Sequence, residues 1–155
     1  MSIKNQISIV IPQNIIDEVT RQLQECKTAL APYLQGLSAE DRSKMFKMGD
    51  KSVAVVQKTK AYVETNPEFA PAYMDKTEFM KDEAVVTSLS PIENLATQLA
   101  TDISDTIMLA GSEAMYGALL YYGQVKEANH KGIATAKPVY EDLSKRFAKT
   151  KRKSQ

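Results

Sequence analysis

Glu113 is the residue best placed to do chemistry. It is the one charge in residues 107–125, IMLAGSEAMYGALLYYGQV, a stretch otherwise almost wholly apolar or small. A carboxylate inside such a helix must be paired, hydrogen-bonded or shifted toward neutrality. It can serve as an acid, a cation ligand or a polar contact at an interface. It can equally sit at the helix edge or pair with a Lys, Arg or Tyr for purely structural reasons, the commoner fate of a buried acid. Glu127-x-x-His130 matches one half of a di-iron carboxylate signature. The full site needs two such pairs and two further Glu, and His130 is the only histidine, so one chain cannot build it. His130 and Lys131 instead suit the positive end of a helix closing at Gly132. Gly49-Asp50-Lys51-Ser52 lacks the earlier glycine and the preceding strand of a phosphate loop, and Asp50 reads better as a helix cap. Cys26, on an apolar helix face with no histidine nearby, reads as a packed thiol. No catalytic motif, cofactor motif or metal-ligand set emerges, so the expectation is a non-enzyme without cofactor or metal.

The elements that must position these residues are helices. Residues 6–12, QISIVIP, alternate with a period of two at Ile7, Ile9 and Ile11, a strand-like pattern. No later segment offers a partner strand. The segment must therefore lie on helices as an extended arm, or pair with another molecule. From Asn14 the period changes: Ile15, Ile16, Val19, Leu23, Cys26, Leu30 and Tyr33 recur every three or four residues, one face of an amphipathic helix. Ser38 with Asp41 begins a short turn, and a second helix is expected over residues 51–64, with Val53, Val56, Lys60 and Val63 on one side. Asn66-Pro67 ends it. Asp75-x-x-Glu78 reads as a capping box, and Ser90-Pro91-Ile92-Glu93 as a sharper start.

Beyond Pro91 the apolar phase never resets from Ile92 through Leu95, Leu99, Ile103, Ile107, Ala110, Ala114, Ala118, Tyr121 and Val125 to Ala128. This favours one long central helix. Cap-type residues at Asp102 to Thr106 leave open a hairpin of two helices. The small residues Ala110, Ala114 and Ala118, with Gly111 and Gly117 beside them, let another helix approach closely, within the chain or between subunits. Met108, Met115, Tyr116, Tyr121 and Tyr122 would line any ligand cavity in the core. Gly132 closes this region, and a last helix follows through Val139, Tyr140, Leu143 and Phe147.

At 155 residues the chain fits one domain, residues 1–155, with an extended arm at 1–12 and a basic tail at 148–155. Composition is ordinary for a globular protein: 43% hydrophobic, 25% charged. The apolar run at the N-terminus is too short for a secretory signal core. A single cysteine excludes an intrachain disulfide, and a cytoplasmic setting is expected. Glu113, Ser112 and Gln124 argue against residues 107–125 crossing a membrane. The net charge of +1 hides a strong asymmetry. The C-terminal cluster Lys145, Arg146, Lys149, Lys151, Arg152 and Lys153 contains no acid, and the rest of the chain has 14 basic against 19 acidic residues. Residues 42–60 hold six basic residues against Asp50 alone, and residues 77–125 hold seven acids against Lys81 alone. These faces meet within the fold or steer contacts between molecules. Aromatic interleaving near the tail is sparse, so nucleic acid is not the expected partner.

Three local signatures stand out: KMGDKSVAVV at 47–56, LAGSEA at 109–114 and AKPVYEDLSKRF at 136–147. With NQISIVIP at the start and NPEFAPAY in the connector, they resemble a family of small bacterial helical proteins of about this length and no assigned activity. The resemblance spans nearly the whole chain. It implies a complete bacterial protein, and no substrate or active site.

The fold expected is all-α: a bundle of about five helices with a long central helix and an extended N-terminal arm. The function expected is a structural or protein-interaction module that self-associates. Its contacts would be Ile7, Ile9 and Ile11 of the arm and the stripe Ala110, Ala114, Ala118. The partner expected is a second copy of the chain, with another protein as the alternative. A binder of a small apolar or aromatic ligand in the core is the second reading.

Overall fold

The computed structural model describes residues 5–148, apart from the side chains of Asp50 and Ala148. The fold is all-α, with five helices and no strand among the described residues. They are α1 (Gln13–Leu30), α2 (Ala39–Lys44), α3 (Asp50–Thr65), α4 (Lys76–His130) and α5 (Ala136–Ala148). Single turns of 3-10 helix at Ala31–Tyr33 and Pro67–Phe69 each carry a proline near their start. Contacts group the chain into two compact units, Val10–Gln98 and Met1–Ile9 with Leu99–Gln155, and α4 contributes to both.

In the Val10–Gln98 unit the helix boundaries follow local chemistry. Pro12 is the N-cap of α1, its carbonyl accepting from the amides of Ile15 and Ile16. The polar side of α1 is laced by Arg21, which pairs with Glu18 at 2.7 Å and Glu25 at 2.6 Å. Among the described residues no helix covers its apolar side, and no residue of α1 is buried. Ser38 and Asp41 form a complete capping box on α2, satisfying two otherwise orphaned amides. Gly49, not Asp50, is the N-cap of α3, and no side chain caps it. α4 begins as expected, the Asp75 carboxylate accepting from the Glu78 amide at 3.0 Å.

Ser90-Pro91 does not start a helix. Pro91 lies inside α4, and the Ser90 hydroxyl donates to the Val86 carbonyl at 2.7 Å, a helix-interior bond and not a cap. The helix survives because the residues before Pro91 have their own packing partner in α3. Propagation from that anchored segment costs less than a new nucleus beyond the proline. The Asp102–Thr106 hairpin is likewise absent: the Thr106 hydroxyl bonds back to the Asp102 carbonyl at 2.8 Å inside the helix.

In the Leu99–Gln155 unit, α4 ends in a full Schellman closure. Gly132 takes φ +78. Its amide donates to Asn129 at 3.1 Å, and the Ile133 amide reaches Ala128 at 3.1 Å. The chain then turns into α5, and Val125 and Ala136 are buried. Tyr122 stacks on Tyr140, ring centroids 5.9 Å apart, and meets Phe147 at 4.6 Å. Such aromatic pairs join burial to a geometric preference. Burial, together with the neighbouring Tyr140 hydroxyl, holds the Tyr122 phenol above its ordinary pKa.

Candidate functional site

Glu113 binds the N-terminal arm. The Gln6 amide donates to its Oε1 at 2.6 Å. With the Asn5 amide turned to satisfy its neighbours, its nitrogen donates to Glu113 Oε2 at 2.7 Å and to the Ile7 carbonyl at 2.8 Å. Both carboxylate oxygens are thus taken by uncharged donors from one short segment. Glu113 is partly buried, not enclosed in a core, which corrects the picture of a buried acid. Among the described residues its partners are the Gln6 backbone amide and the Asn5 side chain of the arm. Ile7 is partly buried, whereas Ile9 is 61% and Ile11 51% exposed. Residues 5–12 carry no regular secondary structure.

The apolar stripes are bare. On α1, Ile15, Ile16, Val19 and Leu23 are 39–49% exposed. On α4, Ile92, Leu95, Leu99, Ile103 and Ile107 are 40–69% exposed. The stripe Ala110, Ala114, Ala118 is exposed as well, and a Cβ added at Gly111 or Gly117 would meet nothing within 4 Å. Among the described residues, no helix uses the close approach these small residues permit. Among the described residues, no helix is long and apolar enough to cross a membrane.

The side chains expected to line a core cavity are not enclosed together among the described residues. Met108, Met115 and Tyr121 are exposed. Tyr116 and Tyr122 are partly buried, and Tyr122 is committed to the contact with α5. A cavity of about 180 Å³ lies instead between α3 and the start of α4, within the Val10–Gln98 unit. Val53, Val56, Phe79 and Val86 give it apolar walls, with Gln57 and Glu83 on its lining. Glu83 is only 6% exposed and accepts from Lys60 at 2.6 Å and from the Thr87 hydroxyl at 2.7 Å. The Lys60 and Thr87 hydrogen bonds hold the Glu83 carboxyl below the usual carboxylate range, against the opposing effect of burial. The same Glu83 contact raises the Lys60 ammonium above its ordinary value.

This pair was not singled out from the sequence. Its signal was there: Lys60 interrupts the apolar side Val53, Val56, Val63, and Glu83 sits in helical phase with Phe79, Val86 and Ser90. A charge inside an apolar stripe needs a partner on the facing helix.

The remaining candidates take ordinary roles. Lys131 pairs with Glu127 at 2.6 Å, and His130 is exposed. No group of three or more His, Cys, Asp or Glu among the described residues is placed to hold a metal. Cys26 is exposed and not packed, because nothing covers the face of α1 that carries it. Lys145 and Arg146 end α5, and Arg146 pairs with Asp142 at 3.3 Å. Lys149, Lys151, Arg152 and Lys153 lie outside the described residues. Compared with known protein families, curated proteins and solved structures, the chain matches none, and the resemblance carried by residues 47–56, 109–114 and 136–147 stands on those residues alone.

Proposed function

We propose that the chain is a self-associating structural or interaction module whose helix faces are completed by a second copy. The observation that carries this reading is the pair of bare apolar stripes, four large side chains on α1 and five on α4. Covering the exposed half of each is worth about 1 kcal/mol at the usual ~25 cal/mol per Å². The α1 stripe alone then supplies about 4 kcal/mol, no more than the low end of the roughly 4–15 kcal/mol cost of association. The two stripes together supply about 9 kcal/mol, enough to offset a mid-range cost. Assembly should therefore need both faces. The exposed Ile9 and Ile11 of the arm and the exposed Ala110, Ala114, Ala118 stripe offer further area for contact.

The test is solution mass by light scattering over a range of concentrations. We expect an oligomer that Leu23→Asp or Ile103→Asp converts toward monomer, and that loss of residues 1–11 weakens. A full-length chain that stays monomeric at every concentration would overturn the reading. A second reading, binding of a small apolar or aromatic ligand, draws on the cavity between α3 and α4. Its volume suits one aromatic ring. A thermal upshift with a small aromatic, abolished by Val56→Phe, is its signature.

A further inference from the structure

We infer that the α3–α4 cavity takes a small aromatic amine in its protonated form, with the ring between the apolar walls and the ammonium on Asp82. This rests on the second reading above, ligand binding in that cavity, and names the chemistry of the ligand. It holds whether or not copies of the chain assemble. The walls come from two helices whose apolar sides meet. Val53 and Val56 of α3 and Phe79 and Val86 of α4 are all partly buried and line the space. Met48, just before α3, adds a pliable thioether to the lining. The volume of about 180 Å³ suits one six-membered ring.

The polar groups on the lining decide what the ring can carry. Asp82 and Glu83 both line the cavity, and no cationic side chain among the described residues does. Glu83 is 6% exposed and already held by Lys60 and Thr87, so its charge is balanced inside the protein. Asp82 is exposed and makes no ion pair among the described residues. It follows Phe79 by three residues and precedes Val86 by four, which puts it on their side of α4 with Cβ atoms ~5–6 Å from each. A tether of about two carbons between ring and ammonium spans that interval. A neutral ring gains only the apolar walls. An anionic one meets two carboxylates and is repelled. A cationic one gives Asp82 the counter-charge that the chain does not, beside apolar walls that strengthen the attraction. Lys60 stays on Glu83 throughout, so binding breaks no internal pair.

The experiment titrates the full-length chain at pH 7 and low salt by saturation-transfer difference NMR, a readout that serves monomer and oligomer alike. Three probes share one ring and one tether and differ in charge: 2-phenylethylamine, 2-phenylethanol and 3-phenylpropionate. The amine should bind about fivefold more tightly than the alcohol, and the carboxylate most weakly. High salt should narrow the gap between amine and alcohol. Asp82→Asn should bring the amine down to the level of the alcohol and leave the alcohol unchanged. Asp82 is exposed, so helicity should not change in that variant, and retained alcohol binding shows that its cavity persists. Equal affinity for amine and alcohol in the unaltered chain, or amine binding undiminished by Asp82→Asn, overturns the inference and spares the ligand reading. Loss of amine and alcohol together in Asp82→Asn would make Asp82 a prop of the cavity wall, and also overturns it. Failure of all three probes to bind defeats both.

Discussion

The Lys60–Glu83 pair is the most consequential contact made by single side chains. Glu83 is nearly enclosed and its lone pairs are met by Lys60 and Thr87. Removing one partner strands the other in a site with little water. Lys60→Met should lower the melting temperature by about 5 °C or more, whereas Lys60→Met combined with Glu83→Leu should recover most of that loss. The sign of the pH dependence follows from the shifts. The folded-state carboxyl of Glu83 is depressed, so its contribution is complete above the unfolded value, roughly 4.3, and fades as pH falls through the folded one. Lys60 is raised, so its contribution holds below roughly pH 10.4 and fades as pH rises through its folded value. Stability followed by circular dichroism should therefore drop on the acid side, and Glu83→Gln should flatten that limb. Glu113 was legible as the odd charge in its helix, but its partner was not. Nothing in the pattern of Asn5 and Gln6 signals that a backbone amide and a side-chain amide will cap a carboxylate 107 residues away.

At the scale of elements, periodicity located the helices and misread one boundary. The phase from Ile92 to Ala128 gave the continuous α4 correctly, because no glycine or proline interrupts it before Gly111. Ser90-Pro91 misled because cap chemistry is local, while α3 fixes the preceding turns from outside. Pro91 leaves the helix one amide short and is exposed. Pro91→Ala should stabilise the chain by about 2–3 kcal/mol, read from denaturant unfolding. A loss of stability instead would mean that the bend a proline imposes is needed. Gly132 is the opposite case. A Cβ there would touch nothing within 4 Å, so the cost of Gly132→Ala is conformational alone, about 1–2 kcal/mol for a left-handed residue. Asn at the same position should cost less. The α3–α4 cavity was illegible because it depends on which faces meet across a connector, and hydrophobic spacing does not encode that pairing.

For the whole molecule, the sequence predicted apolar faces and could not say that they would stay bare. An amphipathic pattern reports that a surface seeks cover, not whether the cover comes from the same chain. If copies supply it, unfolding is coupled to dissociation, and the melting temperature should climb with protein concentration. A melting temperature independent of concentration would point to monomer unfolding. Cys26 adds an internal gauge. It is the only thiol in the sequence, it is exposed, and it stands three residues after Leu23 on the uncovered side of α1. A maleimide probe therefore attaches at one defined place without any engineered cysteine. Its rate of attachment measures the fraction of α1 left unoccupied, so the chain brings its own stoichiometric reporter of how much of that face is in use.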